Sequence, residues 1–339
     1  MAMNADDIKT AVVSVLAPVL VVIALTRARR QPLWSEAFRR MRSNRVAMAS
    51  LLVLCLYATV AVLDGIGWQV PGKIGSQTVI DKVFAKDPET TYSAPGARVT
   101  SEPKPKPLDR PGSHLLGTDA IGSDVLWATM KGIRTAFVIG GITLLIAAPI
   151  GIFLGLIAGY FGKLADDAVQ YTYTVVSSIP EILLLIAIIL VLGPGIVPIC
   201  IALSMTTWVG LCRLVRGETL RHRDREYVRA AKALGVSAPR IMTRHILPNL
   251  LPVVIISLTL SFSGVVLAES ILSYLGVGVG PDVPSWGNMI DGARDELTRD
   301  PAVWWNVAAA AGALLILVLA LNFLADALRD AIDPRLRSS

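Results

Sequence analysis

The chain is predicted to fold as an all-α, polytopic membrane protein. Of its 339 residues, 53% are hydrophobic, and the mean hydropathy is +0.59. Only 17% are charged, and those charges cluster between long uncharged runs. The runs match the roughly 17–25 apolar residues that a helix needs to cross a bilayer, a combination that soluble domains lack. The net charge of +6 does not indicate a nucleic-acid partner, because the Arg residues flank apolar runs, as membrane topology requires.

The uncharged runs are 10–26, 46–63, 135–162, 246–268 and 301–325. The stretch 168–212 carries one charge, Glu181, and is too long for one helix, so Gly193-Pro194-Gly195 divides it in two. Seven candidate spans result. The run 10–26 reads as a span rather than a secretion signal: Asp6 and Asp7 precede it with only Lys9, and no small-residue cleavage site precedes Arg27.

The connections set the orientation. Residues 27–45 carry seven Arg against Glu36, and 213–245 carry nine Lys or Arg against Glu218, Asp224 and Glu226. Residues 273–304 carry five acids against Arg294 and Arg299. The positive-inside rule places 27–45, 213–245 and the C-terminal tail in the cytoplasm, and 64–134, 273–304 and the N-terminus outside. The middle of the outer loop, SEPKPKPLDRPG, is expected to be extended. It reads either as a solvated linker or as a docking surface for a soluble external partner. Asp119 and Asp124 are expected to favour the start of a short interfacial helix whose Leu126, Met130 and Ile133 face lipid. Cys55, Cys200 and Cys212 lack metal-site spacing and read as small packing residues.

The most shaped polar segment is 226–249, EYVRAAKALGVSAPRIMTRHILPN. Tyr227, Ala230, Ala231 and Leu234 recur at i, i+3, i+4 and i+7, an apolar stripe with Arg225, Arg229 and Lys232 off it. Gly235 suits a helix C-terminus, Ser237 an N-cap, and Pro239 the first turn of a second helix. Pro248 terminates that helix or kinks its continuation into the membrane. The residues alone leave two readings open: a helix lying on lipid headgroups, or a surface on which a partner docks.

Glu181 follows Pro180 inside an apolar region, where an isolated charge costs about 2.5–3.5 kcal/mol, so it is expected to face a cavity or be paired. Glu269 lies near the outer end of its span, where water is expected to reach it. Ser257, Ser261, Ser263 and Gly264 precede it, small residues that mark close helix packing. Glu181, Ser261, Ser263 and Glu269 are therefore the pathway candidates. Enzyme motifs are missing from the sequence. The two Gly-Lys pairs, Gly72-Lys73 and Gly162-Lys163, are followed by Ile74 and Leu164 rather than the Ser or Thr of a phosphate-binding loop. His114, His222 and His245 are scattered, and no HExxH or GxSxG occurs. The chain is expected to be non-catalytic, with no metal or cofactor of its own.

The order Ala230-Ala231, Leu234-Gly235 and then Ile246-Leu247-Pro248 resembles the cytoplasmic loop signature of ABC-importer permease subunits. Three more segments are similar to the C-type permeases of oligopeptide, dipeptide and nickel importers: His114 to Asp119 with Gly122 to Leu126, Glu269 to Gly278 with Pro284 to Gly287, and Ala327 to Leu336. This resemblance implies a six-helix permease core plus one extra N-terminal transmembrane helix in a bacterial inner membrane. It divides the chain into the extra helix and Arg-rich linker (1–45), the first core span and outer loop (46–134), the core (135–325) containing the coupling hairpin 215–248, and the tail (326–339). It also implies partners: a second permease, one or two ATP-binding subunits that hold ATP and Mg, an external substrate-binding protein, and membrane lipid. Glu226, Tyr227, Arg229, Ala230, Ala231, Leu234, Gly235, Arg240, Ile246 and Pro248 would then contact the ATPase. The chain departs from the family at Arg229, where the family has Glu, and at Ser123, where it has Arg. A self-contained secondary transporter is the alternative, but it wants paired broken helices with midplane charges, and Glu181 is the one such position.

Overall fold

A computed structural model describes residues 41–69 and 76–332. The expected span 10–26 and the end of the tail, 333–339, lie outside the described residues. The helices are α1 (Arg45–Gly65), α2 (Val79–Phe84), α3 (Val125–Phe161), α4 (Lys163–Ser177), α5 (Glu181–Leu192), α6 (Ile196–Arg223), α7 (Glu226–Ala233), α8 (Ala238–Arg240), α9 (Leu247–Tyr274), α10 (Trp286–Ala293) and α11 (Trp305–Ile332). Two three-residue strands, β1 (Gly67–Gln69) and β2 (Ser76–Thr78), pair antiparallel after α1.

Among the described residues, α1, α3, α6, the continuous α8–α9 rod and α11 are each long and apolar enough to cross a membrane. The bent pair α4–α5 passes the same test only when its two helices are taken together, as a broken span or a re-entrant loop. Gly193 and Gly195 separate α5 from α6 with positive φ values of 87° and 144°. The sequence did not reveal the break at Ser178-Ile179-Pro180, where α4 and α5 diverge by 82°. Pro180 cannot donate the backbone bond that would continue α4, so the region read as one helix is two.

The central packing lies between α3 and α6. Gly151, Gly155 and Gly159 recur every four residues on α3. A Cβ at each would meet α6 at 2.9 Å from the Trp208 carbonyl oxygen, 2.8 Å from the Cys212 carbonyl oxygen and 2.6 Å from Thr219 Cβ. Only hydrogen at these positions lets the two backbones touch, and in lipid such close packing is a principal source of helix association. Cys200 and Cys212 are buried free thiols in this region, whereas Cys55 is exposed.

Helix α3 starts ten residues before the expected run, absorbing the interfacial helix foreseen after Asp124. Lys131 and Arg134 were read as a boundary. The fold instead neutralises them: Lys131 Nζ lies 2.8 Å from Asp64 and 2.8 Å from Asp81, and Arg134 lies 3.8 Å from Asp64. Ile133 is buried rather than facing lipid. Asp124 caps α3, accepting from the N–H groups of Leu126 and Trp127. Asp119 closes the preceding turn, accepting from Ile121 and Ser123.

The long loop is solvated along most of its proline-rich middle but is not simply extended. Its proline-rich middle folds back through the Val99–Pro107 bridge, and Glu89 accepts from the N–H groups of Asp109 and Arg110. Tyr92, Leu108 and His114 are buried. Trp305 Nε1 on α11 donates to the Thr118 carbonyl.

Two outcomes test this packing. In a helix, Gly→Ala ordinarily stabilises by up to about 1 kcal/mol. Gly217→Ala, whose new Cβ meets nothing within 4 Å, is expected to leave the thermal midpoint in detergent unchanged or raised. Gly155→Ala is expected to lower it by the equivalent of about 1–3 kcal/mol; equal behaviour of the two variants would remove the glycine seam from the stability of the fold. The second outcome concerns pH. Burial raises the Asp81 carboxyl, but the Lys131 ammonium, the Thr78 N–H and the Trp127 N–H outweigh it, so the group titrates below its ordinary value. Its contribution is therefore present above the ordinary carboxylate range and is lost as pH falls through the depressed value. Hydrogen-exchange protection of 79–84, taken relative to the intrinsic rate at each pH, should fall in acid, and Lys131→Met should move that fall to higher pH.

Candidate functional site

The hairpin between α6 and α9 begins at Asp224. Residues 215–223, assigned to it from sequence, are instead the last turns of α6. Arg221, His222 and Arg223 fill the final turn of α6, where cations complement the helix dipole. Glu226 sits in the first turn of α7, where an anion does the same.

Helix α7 ends in a Schellman motif. Gly235, at φ 75°, takes the left-handed position. Its N–H donates to the Lys232 carbonyl at 3.0 Å and that of Val236 to the Ala231 carbonyl at 3.0 Å. The chain then turns into α8 through Ser237, which precedes the helix without a side-chain cap bond. No separate second helix follows. One turn of α8 passes into a π-helical segment, Ile241–Ile246, and directly into α9. Pro248 therefore stands inside the continuation, in the first turn of α9, rather than ending it. Its missing N–H and its ring disfavour regular α bonding to residue 244, and the Leu247 N–H reaches back five residues to the Met242 carbonyl.

The expected stripe of Tyr227, Ala230, Ala231 and Leu234 does not face one way. Val228 and Ala231 point inward and join Val236, Ile241 and Ile246 in a cluster with Leu156 of α3, Leu211 and Val215 of α6, and Leu250 and Val254 of α9. Ala231 and Ile246, expected to touch a partner, are thus part of the hairpin's own core, 6% and 0% exposed. Leu234 is 83% exposed and Tyr227 38%. Ala230, Ala233, Gly235 and Arg240 are exposed with them, and Pro248 is half-buried. The outward face is small and apolar, edged by Glu226, Arg229 and Lys232. Neither Glu226 nor Arg229 makes an ion pair among the described residues. Tyr227 Oη and His222 Nδ1 are hydrogen-bonded at 2.7 Å, and burial holds the phenol above its ordinary pKa. Lys232 lies over the Tyr160 ring at 4.9 Å. Val228 was missed because on an eight-residue helix two apolar faces overlap, and only the position of α9 decides which is covered.

The pathway candidates are dispersed. Glu181 is exposed in the first turn of α5, just past the bend. Ser261 is half-buried; Ser263 is buried and donates to the Leu260 carbonyl at 2.8 Å. Glu269, expected to meet water, is 1% exposed and accepts from Ser273 at 2.8 Å and Ser270 at 3.4 Å. Among the described residues no hydrogen bond or ion pair joins Glu181 to the other three.

Two of the remaining motif segments, His114 to Leu126 and Glu269 to Gly287, meet at the end of the bundle opposite the hairpin, while the described part of the third, Ala327 to Ile332, forms the last turns of α11. Trp286 is buried beneath Gly132, its Nε1 donating to the Thr129 carbonyl at 3.0 Å, and Thr135 donates to the Pro284 carbonyl at 2.6 Å. A Cβ on Gly287 would strike the Ser270 carbonyl, and one on Gly122 would strike the Glu89 carbonyl.

This arrangement defines a multi-pass membrane protein that carries an exposed, internally braced hairpin at one end. The family model "Binding-protein-dependent transport system inner membrane component" matches residues 151–338, and "N-terminal TM domain of oligopeptide transport permease C" matches 32–71. The chain belongs to this family of transport-system permeases. It is 32% identical over 303 residues to the dipeptide transport system permease protein DppC of Bacillus subtilis, covering 89% of this chain and 86% of that one. It is 30% identical over 305 residues to the oligopeptide transport system permease protein OppC of the same organism, covering 90% of each. A structure of the MetNI methionine ABC transporter in an inward-facing conformation superposes with a TM-score of 0.48 and 20% identity over 61% of this chain and 95% of that one, too loosely to bear on the geometry.

Val228→Ala is expected to loosen the hairpin by about 1–3 kcal/mol, seen as faster trypsin cleavage at Arg225 and Arg229. Leu234→Ala should leave that cleavage rate unchanged.

Proposed function

We propose that this chain is one of two permease subunits of an ATP-driven peptide importer in a bacterial inner membrane. The names of the relatives support peptides as cargo. The hairpin end would lie in the cytoplasm with the C-terminus, and the loop between α1 and α3 and the N-terminus outside, as the Lys and Arg distribution supports.

The observation that carries the reading is the two-sided hairpin. Its outer face leaves Leu234, Ala230 and Tyr227 uncovered together, and this contiguous group is read as the contact surface. Its inner face is packed without a break into α3, α6 and α9. Displacement of α7 is therefore transmitted to three spans. ATP and Mg bound by separate ATP-binding subunits would supply the movement. Closure of those subunits would draw the two permeases' hairpins together and shift the membrane cavity from inward-open to outward-open, and hydrolysis would reset it. Glu181, a charge at a broken span, is proposed to line the route, while Glu226 offers the ATPase a carboxylate on the same helix as Arg229.

Leu234→Asp tests this. It is expected to reduce peptide uptake and co-purification of the ATP-binding subunits at least about tenfold, the scale of losing a central apolar anchor, while the two permeases still purify together. Retention of the ATPase by this variant would overturn the assignment of the hairpin.

A further inference from the structure

The long outer loop closes around a buried histidine. The side chains of His114, Glu89 and Asp124 are each 2% exposed. The imidazole stands between the two acids, with Nδ1 2.9 Å from Asp124 Oδ2 and Nε2 3.7 Å from Glu89 Oε1. Each acid holds a different part of the fold. Glu89 accepts from the N–H groups of Asp109 and Arg110 and so gathers the proline-rich middle. Asp124 caps α3 through its other oxygen. The His114 carbonyl accepts from the N–H groups of Gly96 at 2.9 Å and Gly117 at 3.2 Å. His114 thus sits where the loop meets the first turn of α3.

The charges of this cluster balance only with a second proton on the ring. Apart from His114, the cation that faces it is Lys86, whose Nζ lies 3.3 Å from Asp124 Oδ2 and donates to the Ser113 carbonyl. The Arg110 guanidinium turns to Asp87 at the surface instead. Two buried carboxylates against one ammonium leave an excess negative charge, and an imidazolium cancels it. Hydrogen bonding gives the same answer. A neutral ring carries one N–H. Directed to Asp124, it leaves the Nε2 lone pair facing the Glu89 carboxylate, and Nε2 is buried with no hydrogen-bond partner among the described residues. With both nitrogens protonated, an N–H faces each acid. We propose that His114 is a proton-operated latch. As an imidazolium it ties the loop to the start of α3; loss of the Nε2 proton to solvent turns the Glu89 contact from attraction into repulsion and loosens residues 89–118. In the orientation proposed above, the latch answers to the pH of the external medium, but the latch itself does not depend on the importer reading.

The folded loop binds the proton that the loosened loop releases, so its protection is complete in acid and lost as pH rises, the opposite of the acid loss expected of 79–84. Asp119, whose pKa burial raises, acts in the same direction on the neighbouring turn, so the deciding variants leave it in place. The full chain in nanodiscs tests the latch by hydrogen exchange of 89–118, taken relative to the intrinsic rate at each pH. The range is about pH 5 to pH 9, which spans the ordinary protonation of histidine. Local protection is expected to fall at least about tenfold across it, the scale of leaving a buried charge uncompensated. His114→Gln, which keeps a donor amide but no titrating proton, should remove most of that pH dependence. Lys86→Met strengthens the demand for the imidazolium and should move the fall to higher pH. Asp124→Asn, which keeps an acceptor oxygen for the α3 cap, should move it to lower pH. A histidine that only fills space would produce no such opposed shifts. Protection that does not vary with pH in the unmutated chain, a pH dependence that survives His114→Gln, or shifts of one sign in the two neighbours overturns the proposal. Should His114→Gln fail to fold, the two shifts decide.

Discussion

The contact of α3 with α6 across Gly151, Gly155 and Gly159 is the constraint on which the rest depends. A membrane offers no hydrophobic drive to bring two apolar helices together, so their association rests on close packing. With hydrogen alone at three successive turns, the α3 backbone reaches the Trp208 and Cys212 carbonyls directly. Everything at the hairpin end follows. Helix α6 carries the hairpin on its last turn, and α3 supplies Leu156 and Tyr160 to hold it. At the same end, α4 is tied to α6 through the Asp166–Arg216 ion pair and the bond from Arg213 to Ser177 at 2.7 Å.

The two ends of the bundle solve the same problem by different means. At the hairpin end, an apolar cluster anchors a short helix that leaves its other face uncovered. At the opposite end, polar groups do the anchoring. Lys131 ties α3 to Asp64 and Asp81, Thr78 Oγ1 donates to Asp64 at 2.6 Å, and Asp124 both caps α3 and meets His114 at 2.9 Å. Charges placed there escape the cost of the hydrocarbon interior because each is shared between a span and the folded loop. One end thus leaves a helix face uncovered, and the other holds a folded loop above the spans.

Much of this was legible in the sequence. Uncharged length found the spans, Gly193-Pro194-Gly195 found the break before α6, and Gly235 found the end of α7, because each depends on local backbone chemistry. The errors share a cause. Lys131 and Arg134 were read as the edge of a span, yet α3 continues through them since Asp64 and Asp81, distant in sequence, neutralise them. The proline-rich loop was read as extended, but Glu89 folds it back. Glu269 was placed in water, whereas Ser270 and Ser273 satisfy it inside the protein.

The sequence by itself determined that the chain is a helical membrane protein, where most of its spans lie and that a shaped basic hairpin joins two of them. These follow from hydropathy, charge and turn residues, which act over one helix length. Only the tertiary structure decided which side of α7 is buried, which charges are paired and how the long outer loop folds back on itself. Each of these depends on atoms brought together from segments far apart in the chain, and no local pattern encodes that proximity.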